Sequence, residues 1–209
     1  MSYDAVVFDL GGVVFPSPLD VFRVYEREHG LPHRFISEVV LSDPEHGAWG
    51  RLERGELSLE QFCDAFDAEC AAHGATVDSR QLMRAVGAGL APRPAMVAAI
   101  GAIRARGLKT AALTNNWADD AGRREASPTE GWFDVVVESA VEGLRKPDPR
   151  IYILVCERLA VTPRATVFLD DLGANLKTAR ELGMTTIKVA EPNTALAELE
   201  SVLGFALTG

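Results

Sequence analysis

Apolar, β-branched runs recur along this chain and, over its C-terminal half, alternate with helical patterns. Strand-like runs lie at Ala5 to Phe8, Thr110 to Leu113, Val135 to Val137, Thr166 to Leu169 and Thr185 to Val189. Between them, Ile151, Leu154, Val155 and Leu159 mark one helical apolar face, and Leu196, Leu199, Val202 and Leu203 another. Ala95 to Arg106 reads as a helix stopped by Gly107, just before the strand that begins near Leu108. Strand and helix in alternation predict an α/β fold with a parallel, doubly wound sheet. The stretch from Pro16 to Leu90 differs, with helical patterns and no strand. Pro18, Gly30-Leu31-Pro32, Asp43-Pro44 and Gly74 punctuate it into four or five helices, with Leu57, Phe62 and Phe66 on one stripe. The expected organisation is an α/β core over 1–15 and 91–209, with an α-helical cap subdomain inserted over 16–90.

Composition narrows the function classes. The chain has 209 residues, 47% of them hydrophobic, enough for a sizeable core. A formal net charge of -9 argues against a nucleic-acid or anionic-membrane binder, which needs a basic footprint. A phosphorylated small molecule stays open, because a local pocket can be positive on an acidic protein. Cys63, Cys70 and Cys156 form no C-x-x-C pair, and Cys63 and Cys70 are spaced to share one helical face, so buried thiols are expected. No apolar stretch approaches transmembrane length, and no basic-then-apolar leader opens the chain. The expectation is a soluble protein of the reducing cytoplasm, with its oligomeric state left open.

Four polar segments would converge at the carboxyl edge of such a sheet, where open α/β sheets place ligands. They are Asp9, Thr114-Asn115-Asn116, Arg145-Lys146-Pro147-Asp148-Pro149 and Asp170-Asp171. Singly, each has an ordinary reading as a helix N-cap, a turn or a loop. Together and in this order they are far more specific, because ordinary capping does not require all of them at strand ends.

These segments resemble the haloacid dehalogenase-like phosphatases. The resemblance is carried by Phe8-Asp9-Leu10-Gly11-Gly12-Val13, Leu113-Thr114-Asn115-Asn116, Lys146-Pro147-Asp148-Pro149-Arg150-Ile151-Tyr152 and the run from Phe168 to Lys177 through Asp170-Asp171. Within the family it points to the N-terminal phosphatase domain of soluble epoxide hydrolases and the related domain at the front of some multidomain acyl-CoA dehydrogenases. It implies a Rossmann-like core and a Mg²⁺-dependent hydrolase of a small phosphorylated metabolite. Asp9 is then the nucleophile, forming an aspartyl-phosphate. The resemblance assigns Mg²⁺ to the carboxylates of Asp9 and Asp171 and the backbone carbonyl of Gly11, and puts Asp170 behind them as an orienting group. Lys146 supplies positive charge beside Asp9. The Thr114 hydroxyl and the Asn115 backbone offer donors to the phosphoryl group. Asn175 is expected to fix the loop after Asp171.

One position departs from the family pattern. Most of these phosphatases carry a second aspartate two residues after the nucleophile, as general acid and base. Here that residue is Gly11. Such a group typically contributes about 10²- to 10⁴-fold, so its loss implies slow turnover or a restriction to good leaving groups. His46 and Glu45 are candidate replacements, although surface or capping roles suit both. The four histidines, His29, His33, His46 and His73, all fall in the helical insert, where a solvated face is the default. Trp49 and Trp117 are candidate pocket walls, with core packing the competing role. Gly11 also motivates a second reading, a domain that binds a phosphorylated ligand without turning it over. A metal-independent dehalogenase using Asp9 is a third. The Asp170-Asp171 pair speaks against it, since two carboxylates serve a cation better than a carbon centre.

Overall fold

The computed structural model describes residues 3–88, 91–118 and 129–207. Strand β1 (Ala5–Phe8) is followed by helices α1 (Pro18–Glu28), α2 (Phe35–Ser42), α3 (Ala48–Glu53), α4 (Leu59–Ala72), α5 (Ser79–Gly87) and α6 (Pro94–Ala105). The chain then runs through β2 (Lys109–Thr114), β3 (Val135–Glu138), α7 (Ser139–Glu142), α8 (Pro149–Leu159), β4 (Thr166–Asp170), α9 (Gly173–Glu181), β5 (Thr185–Lys188) and α10 (Pro192–Leu203). The five strands pair in the order β3-β2-β1-β4-β5, and every pair is parallel.

The short apolar runs form strands because both faces of a parallel sheet are covered. Side chains alternate between the two faces. Val6 and Phe8 pack with Ala112, Leu169, Met96, Ile100, Leu196 and Leu199, beneath α6 and α10. Ala5 and Val7 pack with Leu113, Phe168, Ile151, Val155 and Leu176, beneath α8 and α9. The doubly wound arrangement read from the sequence is therefore the observed one. The expected strand limits differ from the observed ones by a residue at some ends: Glu138 and Asp170 belong to their strands, and Val189 does not. Strand order reverses at β1, with β2 and β3 on one side and β4 and β5 on the other. That is a topological switch point, and the crevice beyond the carboxyl ends of β1 and β4 is the ligand position such a sheet provides.

Helices α1 to α5 bury a cluster of their own, with Phe22, Ile36, Val39, Trp49, Leu52, Phe62, Phe66 and Leu82 at its centre. The helix ends are well specified. Ser58 and Gln61 form a reciprocal capping box on α4, and Asp78 caps α5. Helix α2 follows Arg34, which sits at φ 66 and makes no side-chain cap. Its orphan N–H groups are served instead by Glu26, whose carboxylate accepts from Arg34 N and Ile36 N at 2.9 Å each. Among the described residues the insert contains no strand. Its expected end at residue 90 lies outside the described residues. Cys63, Cys70 and Cys156 are buried as thiols, and the four histidines are exposed. Among the described residues, no helix is long and apolar enough to cross a membrane.

Candidate active site

Asp9 leaves β1 with its backbone N–H donated to the Leu169 carbonyl at 2.9 Å, so the nucleophile candidate is tied to the end of β4. Its side chain is almost fully enclosed. Lys146, on the connection before α8, is 1% exposed. Its Nζ lies 2.8 Å from Asp9 Oδ1 and 2.8 Å from Asp170 Oδ2. Asp170 is fully buried and its carboxylate is saturated. Asn175 Nδ2 donates to both its oxygens at 3.0 Å, and Leu172 N donates to Oδ1 at 2.8 Å. Tyr152 in turn donates its hydroxyl to the Asn175 carbonyl at 3.1 Å. Asp171 is less engaged, with the Ser17 hydroxyl 3.4 Å from its Oδ2.

The charges do not balance. Carboxylate oxygens of Asp9, Asp170 and Asp171 lie within 4.8 Å of one another, with one ammonium among them. Burial pushes the Asp9 carboxyl up to about 8, against the pull of Lys146 and with help from Asp170 and Asp171. Burial also raises Asp171, and the Asp170 charge adds to the rise. For Lys146 burial acts downward, but the two carboxylates outweigh it and hold the ammonium above its usual range. Such a surplus of buried negative charge fits a divalent cation with oxygen ligands.

The loop after β1 is shaped around that cluster. Arg93 Nη1 donates to the carbonyls of Gly12 and Val13 at 2.6 and 2.9 Å, holding the loop to the start of α6. Gly11 pairs with Phe15 in a short bridge that closes the loop. Gly12 adopts φ +81, and a Cβ there would collide with the Asp171 carboxylate. Its glycine is required both by backbone and by space. We expect Gly12→Ala to cost about 1–2 kcal/mol from the left-handed conformation alone and to push Asp171 out of the cluster. Thermal unfolding with and without Mg²⁺ checks this, since the variant should lose any Mg²⁺-induced rise in midpoint.

Thr114 ends β2 and is buried, its hydroxyl 3.4 Å from the Asn115 carbonyl. The Asn115 side chain is committed to Lys146: Oδ1 accepts from Lys146 N at 2.8 Å, and Nδ2 donates to the Lys146 carbonyl at 3.0 Å. Asn116 is tied to Glu138 and Ser139 at the end of β3. The structure thus gathers Asp9, Thr114, Asn115, Lys146, Asp170, Asp171 and Asn175 at the carboxyl edge. It does not bring His46 or Glu45 into the cluster. Both are exposed; His46 stays beside Asp43 at 3.5 Å and the Glu45 carbonyl accepts from Arg54. Trp49 is a core residue of the insert, edge-on to Phe22, Phe62 and Phe66, and half-buried Trp117 packs against it. Sequence reasoning missed Arg93 and buried Glu53, and named Arg145 within its segment without a partner. Their only advance signal was position, beside a helix start, within an insert helix and next to Lys146.

A sequence profile of the haloacid dehalogenase-like hydrolases matches residues 3–183. The chain belongs to that family. As a haloacid dehalogenase-like hydrolase it is 43% identical to acyl-CoA dehydrogenase family member 10 of Mus musculus over 216 residues, spanning 99% of this chain and 20% of that protein. It is 35% identical to bifunctional epoxide hydrolase 2 of Rattus norvegicus over 219 residues, spanning 98% of this chain and 39% of that one. The chain therefore spans well under half the length of either relative. A sesquiterpene phosphatase of Aspergillus oryzae is matched along nearly its whole length, 98%, over 97% of this chain at 24% identity. Among solved structures, a HAD family enzyme of Bacteroides thetaiotaomicron in complex with magnesium and inorganic phosphate superposes with a TM-score of 0.62, at 22% identity, over 90% of this chain and 94% of that one. At that identity the likeness speaks to the haloacid dehalogenase-like fold.

Proposed function

We propose that this haloacid dehalogenase-like hydrolase is a Mg²⁺-dependent phosphatase of a small phosphorylated metabolite, working through an aspartyl-phosphate on Asp9. The observation that carries the reading is Lys146, buried and 2.8 Å from both Asp9 and Asp170, within a carboxylate cluster that one ammonium leaves under-neutralised. The matched phosphatase of Aspergillus oryzae supports the same reaction class.

In this reading one Asp9 oxygen attacks phosphorus, the bond to the leaving oxygen breaks, and that oxygen takes a proton from solvent. Water then cleaves the acyl phosphate and regenerates the carboxylate. Asp9, Asp171 and the Gly11 carbonyl hold Mg²⁺, which when bound screens the carboxylate from the phosphoryl oxygens. Lys146 neutralises Asp9 and meets the phosphoryl group. The Thr114 hydroxyl and the Asn115 N–H donate to it. Asp170 and Asn175 hold Lys146 on target. The insert over 16–90 acts as a cap on this edge, which selects small substrates and limits water.

The expected result is phosphate release from p-nitrophenyl phosphate or another small phosphate ester with Mg²⁺, abolished by EDTA. A stability measurement runs alongside it. Asp9 has its folded-state pKa raised from 3.8 to about 8, so between those values the metal-free folded chain holds a proton that the unfolded chain has released. Folding is therefore favoured at the acid end of this window and weakens as pH rises through it. Mg²⁺ replaces that proton, and should raise the unfolding midpoint more near about pH 8 than near about pH 5. Gly11 favours one alternative, a domain that binds phosphorylated ligands without turnover. Mg²⁺-dependent phosphate binding with no release from any ester in a panel would support that alternative and overturn the phosphatase.

A further inference from the structure

Glu53, the last residue of α3, is buried in the seam between the insert and the core and reaches three partners. Its Oε1 accepts from Trp49 Nε1 at 3.0 Å on its own helix. Its Oε2 accepts from Asn115 Nδ2 at 3.3 Å. Arg145 Nε lies 2.7 Å from the same oxygen, an ion pair whose N–H is not aimed for a hydrogen bond. Arg145 also donates Nη1 to the Pro44 carbonyl at 2.5 Å, so the residue preceding Lys146 is gripped by the insert at two points. The fit is close. A Cβ on Gly50 would lie 2.5 Å from the Pro44 carbonyl oxygen and 3.2 Å from Arg145 Nη1, so the Pro44 carbonyl that Arg145 grips comes this close to α3 because that position is bare.

Asn115 is the link to the chemistry. The amide that meets Glu53 also clamps both backbone groups of Lys146. An amide making those two bonds has one orientation available, and Glu53 accepts from the same Nδ2 that donates to the Lys146 carbonyl. We infer that Glu53 is a positioning residue for Lys146: acting through Asn115 and Arg145, this carboxylate of the insert fixes the backbone from which the Lys146 ammonium reaches Asp9 and Asp170. The seated insert thereby becomes a condition for a correctly placed lysine, beyond its role as a cover. An enclosed ion pair need not serve a site at all, and its desolvation is costly: burial raises the Glu53 carboxyl against the pull of Arg145. A purely structural pair, however, has no need to share a hydrogen-bond donor with the amide that orients a site lysine.

The inference rests on the phosphatase reading only for its kinetic consequence, so its test separates the two. Acylation of lysines by acetic anhydride, followed by mass spectrometry, reads how often Lys146 opens to solvent. Lys177, whose side chain is 76% exposed, is the internal reference. Glu53→Ala is expected to raise Lys146 labelling about 10-fold relative to Lys177, the size of one lost charge-assisted hydrogen bond in a local opening equilibrium. Glu53→Gln keeps an acceptor for Asn115 and should retain most of the protection. Val39→Ala, which truncates the insert core away from this network, should lower the unfolding midpoint and leave Lys146 protected. Phosphate release by Glu53→Ala should fall about 10- to 100-fold, as is usual when the partner of a site residue is lost. Unchanged Lys146 labelling in Glu53→Ala, or equal exposure in Val39→Ala, overturns the inference. Because labelling needs no turnover, it decides the question even for a protein that releases no phosphate.

Discussion

Asp9→Asn is expected to stop phosphate release, by about 10⁴-fold or more, because the amide oxygen is too poor a nucleophile to form the acyl phosphate. The fold should survive the change and even gain from it. Asparagine is close to isosteric, and its oxygen can still accept from Leu10 N, now 2.7 Å from Asp9 Oδ1. Lys146 is not orphaned, since Asp170 remains 2.8 Å away. The wild-type carboxyl is pushed up to about 8 mainly by burial, so at neutral pH the metal-free chain must take up a proton there to fold, a cost the neutral amide does not carry. We therefore expect an unfolding midpoint at or above the wild type without metal, together with loss of the rise that Mg²⁺ produces. A phosphate-release assay and paired thermal melts check both parts. Turnover that persists in Asp9→Asn would move the nucleophile elsewhere, and loss of folding would contradict the charge argument.

Gly11→Asp should act in the opposite direction. The family's usual second aspartate protonates the leaving oxygen, and restoring it should raise turnover of alkyl phosphates about 10²- to 10⁴-fold. The gain should be much smaller for p-nitrophenyl phosphate, whose leaving group needs little protonation. In the wild type, slow hydrolysis of phospho-Asp9 predicts a burst with that substrate, and the burst should vanish in the variant. Gly11, unlike Gly12, is not among the residues with positive φ, so a side chain fits its backbone. Its Cβ would meet Pro18 Cδ at 3.3 Å, and the ring at the start of α1 must give by a few tenths of an ångström. The cost is about 1 kcal/mol, within the range for mild overpacking. A fourth carboxylate near the cluster should also make the metal-free fold weaker and more Mg²⁺-dependent. Stopped-flow kinetics on an aryl and an alkyl ester separate these effects. An unchanged alkyl rate would show that a proton reaches the leaving group by a route that does not use this position.

Much of the architecture was legible along the chain because parallel strands covered on both faces read as unbroken apolar runs. Val6, Val7 and Phe8 illustrate this, and the carboxylate that follows them had to lie at a sheet edge. The helical pattern of the insert was equally plain, because Pro and Gly punctuate it and Leu57, Phe62 and Phe66 share one stripe. For Trp49, His46 and Glu45 the ordinary role held over the functional one. Trp49 went to the insert core and His46 to the surface, since an isolated residue carries no signal of which neighbours the folded chain will supply.

What the sequence by itself determined is the element order, the two-sided burial of the strands, the family, and the identity of the polar residues at strand ends. These follow from local periodicity and from motif order, which are properties of contiguous residues. Which groups face each other was decided only by the tertiary structure. Lys146 and Asp170 meet across 24 residues, and Asn115 and Glu53 across 62. No local pattern records that Lys146 is shared between two carboxylates, that Asp170 spends its oxygens on Lys146, Leu172 and Asn175, or that a carboxylate of the insert shares the amide that clamps the lysine. Those pairings exist because the crossovers of a doubly wound sheet bring distant loops to one edge. There, burial strips water from every charge and leaves each to be satisfied by whichever side chains the fold has delivered.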